Sequence, residues 1–262
     1  MGERKSYDPG TFCWVDLATT DPEDAKSFYG GLFGWEADDM PVDEQTVYTM
    51  LRLGGDYVGG LYRMPADQRE QGVPPSWLSH VSVESVDDTV AKAGELGGEA
   101  LAGPFDVFDS GRMALVADPT GAVFATWQPG DHTGADRVND VGCLGWNELN
   151  TREPEPASRF YSALFGWELE RMEEDGALVY VLIRNSDRMN GGIMPSGEQP
   201  EGAPSYWLPY FTVPSCDGAV DRVRELGGTV LVEPFEPGAG RISVASDPQG
   251  AVFALFEGET ED

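Results

Sequence analysis

The chain has 262 residues, of which 40% are hydrophobic and 11% aromatic. That suits one or two domains with a sizeable core and is too apolar for a disordered acidic segment. A formal net charge of −29 argues against nucleic acid and anionic membranes as partners, since both are bound through Lys and Arg; it reads first as a solvated acidic surface and second as a field that would draw in a cationic ligand.

Residues 1–10 hold no apolar leader and read as a tail, and no apolar run approaches the ~20 residues of a membrane span. Cys13, Cys143 and Cys216 are odd in number and too far apart for a disulfide framework or a CxxC metal site, so a cytoplasmic setting is expected. Residues 11–18 alternate as a strand. Asp21-Pro22-Glu23 then opens a helix to about Phe33, with Ala25, Phe28, Tyr29 and Leu32 on one face and Gly34 as its stop. A short strand follows near Trp35, and residues 46–53 and 57–62 read as a hairpin around Gly54-Gly55-Asp56. After an unpatterned loop at 66–76 the order repeats. A strand at 78–84 leads to a helix at 86–96 stopped by Gly97-Gly98, then to strands near 99–101, 112–117 and 122–128. Asp118-Pro119-Thr120-Gly121 is the turn between the last two.

Residues 129–141 carry turn formers and charge and read as a linker, and residues 142–262 then repeat what came before. Trp14-Val15-Asp16-Leu17 returns 132 residues on as Trp146-Asn147-Glu148-Leu149. Phe28-Tyr29-Gly30-Gly31-Leu32-Phe33-Gly34-Trp35 returns as Phe160-Tyr161-Ser162-Ala163-Leu164-Phe165-Gly166-Trp167, and Gly59-Gly60 as Gly191-Gly192. Asp118-Pro119-Thr120-Gly121-Ala122-Val123-Phe124 returns as Asp247-Pro248-Gln249-Gly250-Ala251-Val252-Phe253. The expected fold is α+β: four βαβββ units in two tandem domains, at 11–128 and 142–262. The loop at 195–206, like that at 66–76, reads as a cover over a cavity or as a plain connection between units.

With FYxxLFGW after the first strand and DPxGxxF before the last, the chain resembles the vicinal oxygen chelate superfamily. Its members include glyoxalase I, extradiol dioxygenases, fosfomycin-resistance enzymes and bleomycin-binding proteins. The resemblance is closest to two-module, largely actinobacterial members described as glyoxalase-like proteins or hydroxylases. It implies open β-barrels, each around a small-molecule cavity, and a place in secondary metabolism, in antibiotic biosynthesis or resistance. Members that use metal draw ligands from the first strand of each unit and a Glu from the last strand. Those positions fall here on Trp14, His80 and Ala125, and on Trp146, Tyr210 and Ala254. Only His80 is a good ligand and a divalent site wants three, so no metal and no cofactor is expected, apart from a two-ligand site shifted onto Asp16 and His80.

What remains for the cavities follows from strand alternation. The first would hold Trp14, Asp16, His80, Ser82 and Trp127, with Asp16 and His80 as an acid/base pair between aromatic walls. The second would hold Trp146, Glu148, Asn150, Tyr210 and Phe256, with Glu148 and Tyr210 in the chemical roles. On the structural alternative, Asp16 accepts backbone N–H bonds and His80 is a satisfied core histidine. Trp35 and Trp167 read as core, Arg112 and Arg241 as ion-pair residues, the paired glycines as points of strand curvature, and His132 as part of the linker. The function expected is a metal-independent lyase, isomerase or cyclase on a small, partly aromatic metabolite, in a monomer or homodimer. The alternatives are a drug- or metabolite-sequestering protein, for an aromatic or cationic ligand, and a metal-dependent hydroxylase or dioxygenase.

Overall fold

The computed structural model describes residues 2–43, 46–196, 204–238 and 240–260. Capping places the helices. Asp21 accepts the Asp24 N–H at 3.3 Å to start α1 (Pro22–Phe33), Pro22 fills the first turn, and Gly34 ends it at φ 77°. α4 (Pro154–Phe165) starts after Glu153 with Pro154 in the same place and ends on Gly166 at φ 76°. α3 (Val86–Glu95) and α5 (Cys216–Glu225) are capped by Ser85 and Ser215, whose side chains accept the Asp88 and Gly218 N–H groups. The acids Asp87 and Asp217 lie in each first turn, where they favour the helix dipole. The loop at 66–76 contains a short helix, α2 (Ala66–Glu70), whereas most of the loop at 195–206 lies outside the described residues.

Each half builds one open, curled, eight-stranded sheet. The first contains β1 (Phe12–Thr19), β2 (Glu36–Pro41), β3 (Val47–Leu53), β4 (Asp56–Arg63), β5 (Ser76–Ser82), β6 (Glu99–Val107), β7 (Gly111–Ala117) and β8 (Val123–Pro129), ordered β2-β3-β4-β1-β5-β8-β7-β6. The second contains β9 (Leu144–Thr151), β10 (Glu168–Glu174), β11 (Ala177–Asn185), β12 (Arg188–Pro195), β13 (Tyr206–Thr212), β14 (Thr229–Phe235), β15 (Arg241–Ser246) and β16 (Val252–Glu257), in the same relative order. β6 runs well beyond the 99–101 expected. In both sheets the first strands of the two units, β1 with β5 and β9 with β13, lie side by side and antiparallel at the centre.

The two sheets share their cores. Val15, Leu17, Phe28 and Tyr29 of the first half pack with Phe211, Val220 and Phe253 of the second. Val81 and Phe124 pack with Phe160, Tyr161 and Trp167. The repeated motifs close this seam. Trp35 Nε1–H donates to the Gly142 carbonyl and Trp167 Nε1–H to the Gly10 carbonyl, both at 2.7 Å and both buried. Tyr29 O–H donates to Asp247 at 3.1 Å while accepting from Trp77 Nε1–H, and Tyr161 accepts from Trp207 Nε1–H and lies beside Asp118. The Asp of each half's DPxGxxF turn thus stands by the Tyr of the other half's FYxxLFGW helix. With that seam on one side of the strands, Trp14 and Asp16 face the other way, into the hollow of the first sheet.

Candidate functional site

Asp16 lies mid-strand in β1, at the centre of its sheet, with Leu78 opposite on β5 and Gly60 opposite on β4. His80 sits one pleat along β5, opposite Trp14. Its Nε2 comes within 3.2 Å of Asp16 Oδ2, and the two residues are 2% and 6% exposed. The contact is close enough for an ion pair but too poorly aligned to count as a hydrogen bond, so both His80 ring nitrogens and Asp16 Oδ1 are buried without a hydrogen-bond partner. The structural alternative of a fully satisfied pair does not describe these atoms, although Asp16 Oδ2 does accept from Tyr48. An unmet buried polar atom costs about 1–3 kcal/mol, and such atoms gathered in one place need a reason.

The walls are aromatic. Trp14 Nε1–H donates to Tyr48 O–H at 2.9 Å, and Tyr48 O–H reaches Asp16 Oδ2 at 3.4 Å. Burial, then the neighbouring Asp16 charge, holds the Tyr48 phenol well above its ordinary pKa. Trp14 and Trp127 belong to one buried cluster with Met50, Tyr57 and Met113 against them. Tyr48 did not stand out from sequence, yet its counterpart Tyr180 follows Trp146 at the same interval, and that repeat is the signal that could have found both. The paired glycines also gain a reason beyond curvature. A Cβ on Gly60 would run into the Tyr48 hydroxyl, and one on Gly192 into that of Tyr180. Ser82 does not join Asp16: its hydroxyl turns to the Tyr7 carbonyl at 3.5 Å, at the end of the strand.

The second hollow repeats the plan with a different outcome. Trp146 Nε1–H donates to Tyr180 O–H at 3.0 Å, and burial, then the neighbouring Glu148 charge, holds the Tyr180 phenol above its ordinary pKa. Tyr210, in the place of His80, donates its O–H to Glu148 Oε1 at 2.7 Å, and Asn150 Nδ2–H reaches the same oxygen at 3.4 Å. Burial pushes the Glu148 carboxyl above its usual pKa, and Tyr210, Tyr180 and Asn150 hold it partly back. Phe256 packs beside Trp146 and Tyr210. Every expected residue of the second hollow is therefore brought together, around a carboxylate that the protein itself satisfies.

His132, expected only as linker, reaches the first hollow. Its ring stands edge-on to Trp14 at 4.6 Å between centroids and 5.8 Å from that of Trp127. Its backbone is fixed at both ends, since the His132 N–H donates to Ser110 and its carbonyl accepts Trp127 Nε1–H at 2.9 Å. Burial lowers its pKa to about 4, with Asp136 opposing and His80 adding to the shift. The segment continues through Ala135, whose N–H donates to Cys13 and whose carbonyl accepts Tyr7 O–H at 2.7 Å. As expected, Arg112 pairs with Asp87 and Asp106, and Arg241 with Asp217 and Glu236. Two shallow hollows, of about 410 and 340 Å³, have none of the expected site residues in their walls.

The positions at which metal-using relatives of this fold place their ligands form true rows across each sheet. Trp14, His80 and Ala125 pair in one, and Trp146, Tyr210 and Ala254 in the other. The first row offers one nitrogen donor. The second offers one phenol, already committed to Glu148. Asp16 adds a single carboxylate beside His80, and among the described residues no group of three His, Cys, Asp or Glu could hold an ion. The donor set does not fit the divalent metal that the fold implies.

Comparison with known proteins agrees with this architecture. The family model for the glyoxalase/bleomycin resistance protein/dioxygenase superfamily matches residues 11–126, and a glyoxalase-like domain model matches 147–256. CFP32 of Mycobacterium tuberculosis, which bears a provisional glyoxylase name, is 41% identical over 98% of both chains. The anthracycline biosynthesis protein DnrV of Streptomyces peucetius is 32% identical over 96% of this chain and 94% of its own. Among solved structures, the Mn(II)-bound glyoxalase of Novosphingobium aromaticivorans superposes with TM-score 0.65 at 14% identity, over 100% of this chain and 84% of that one. The 2,3-dioxygenase LapB of Pseudomonas sp. KL28 gives 0.66 at 14%, over 97% and 95%, and at that identity both show the fold alone. With two matching domain models end to end and a relative of this similarity along nearly its whole length, the chain belongs to the glyoxalase/bleomycin resistance protein/dioxygenase superfamily.

Proposed function

We propose that the first hollow is the active site of an acid/base enzyme that moves a proton on a small, planar, carbonyl-bearing aromatic molecule without a metal ion. The observation that carries this is the buried Asp16–His80 contact at 3.2 Å together with the unpartnered Asp16 Oδ1 and His80 ring nitrogens. Trp14, Trp127 and Tyr48 supply flat apolar walls, and a substrate bearing oxygen would satisfy the orphaned atoms. That the 32% identical relative is named for anthracycline biosynthesis supports a polycyclic aromatic substrate.

The step common to lyases, isomerases and cyclases of this kind is enolisation. In the charge-separated pair, the Asp16 carboxylate takes a proton from carbon beside the carbonyl and the His80 imidazolium gives one to the carbonyl oxygen. The C–H bond breaks, an O–H bond forms and a neutral enol results. Returning the Asp16 proton to a different carbon, with the enol proton going back to His80, completes an isomerisation with no net gain or loss of protons. His80 takes the oxygen-polarising role that a metal fills elsewhere in the fold. Glu148 and Tyr210, satisfied by each other, form a second, binding-only hollow on this reading.

The test is deuterium incorporation from D2O into an enolisable aryl ketone, read by mass spectrometry, beside fluorescence titration of the same compound. Exchange that needs Asp16 supports the enzyme. Binding with no exchange above the buffer rate would favour the second reading, a sequestering protein, which rests on the same aromatic walls.

A further inference from the structure

We propose that His132, carried in by the segment that joins the halves, is a third ligand-contacting side chain of the first hollow, binding a hydroxyl group of the aromatic ligand through Nε2. This rests on the reading of that hollow as the site. Three unpartnered sets of polar atoms come from three separate stretches of chain: Asp16 Oδ1 on β1, both His80 nitrogens on β5, and His132 Nε2 on the joining segment. They surround the same two tryptophans. The His132 ring stands 4.6 Å from Trp14 and 5.8 Å from Trp127, and the His80 ring 6.4 Å from Trp127.

The placement of His132 is not that of a loose connector. Hydrogen bonds on its own N–H and carbonyl tie it to Ser110 and Trp127, so the ring is held while its Nε2 is left unmet. Burial keeps the imidazole neutral near pH 7, and a neutral ring offers one donor and one acceptor. A ligand hydroxyl, which both donates and accepts, matches whichever tautomer is present. The inferred ligand is therefore a planar aromatic with an enolisable carbonyl facing Asp16 and His80 and a hydroxyl on the side of Trp14 facing His132.

The chain has only two histidines, His80 and His132, so nitrogen-15 spectra of their side chains can be assigned with single variants. A dihydroxyanthraquinone is the probe. The expected result is that it shifts the Nε2 signals of both residues. Its affinity should fall about tenfold in His132→Phe, which keeps an aromatic ring against Trp14, and recover in His132→Gln, which restores a polar atom near the Nε2 position. A probe that shifts His80 but not His132, with His132→Phe binding as tightly as wild type, overturns the role of His132 and leaves the Asp16–His80 site standing. Equal weakening in the Phe and Gln variants also overturns it, since packing would then explain the loss. No shift at either histidine removes the first-hollow reading and this inference together.

Discussion

The two hollows are copies of one plan that differ at the residue opposite the first tryptophan, on the strand beside the carboxylate. Each keeps a Trp–Tyr hydrogen bond, Trp14 to Tyr48 and Trp146 to Tyr180, next to a buried acid. Opposite the tryptophan stands His80 in one and Tyr210 in the other. The tyrosine reaches across to Glu148 and closes its hydrogen bonding at 2.7 Å, whereas the histidine stops at a misaligned 3.2 Å contact. The joining segment also brings the His132 ring against Trp14 of the first hollow, at 4.6 Å between centroids. The pattern teaches that a recurring buried acid can be satisfied in one copy and left with an unmet oxygen in the other. The difference lies in whether its lone pairs are already taken.

Stability measurements can break that comparison. Glu148→Ala strands the Tyr210 and Asn150 donors and is expected to cost about 2–4 kcal/mol in urea unfolding. Asp16→Ala removes one long bond from Tyr48 and relieves an unmet oxygen, so it is expected to cost under about 1 kcal/mol. Equal costs would mean that the two acids do the same job.

The pH dependence should differ in sign between the halves. His132 has a folded pKa lowered to about 4 from 6.5, so the unfolded chain binds the proton more readily. Its contribution is present above pH 6.5 and is lost as pH falls toward 4, at most about 3 kcal/mol, and His132→Phe should flatten that part of the profile. Glu148 has a raised pKa, so its contribution is present at low pH and is lost as pH rises from the ordinary carboxylate range through the raised value. Glu148→Gln should remove that loss. The smallest effect sharpens the shared part of the plan: Tyr48→Phe and Tyr180→Phe should each cost about 1 kcal/mol, because each loses the acceptor for a tryptophan N–H.

Much of this was legible in the chain. Repetition defined the four units, alternation put Asp16 on the face of Trp14 and Glu148 on that of Trp146, and the ligand positions of the resembling family fell on Trp14, His80, Trp146 and Tyr210, which do pair across the strands. What could not be read was non-local. Trp35 and Trp167 read as core, but their carbonyl partners lie more than a hundred residues away in the other half. His132 sits among turn formers, with nothing in its neighbours to say that the segment folds back over Trp14. Ser82 has the right parity for the hollow and is diverted by the tail at Tyr7.

The central claim is that proton transfer belongs to Asp16 and not to Glu148. It is tested most directly by the rate of deuterium exchange into an enolisable aryl ketone, compared across wild type, Asp16→Asn and Glu148→Gln at equal saturation. The expected result is a loss of about a hundredfold or more in Asp16→Asn, with binding kept, and a change of less than about threefold in Glu148→Gln. Unchanged exchange in Asp16→Asn, or a loss confined to Glu148→Gln, would contradict the account.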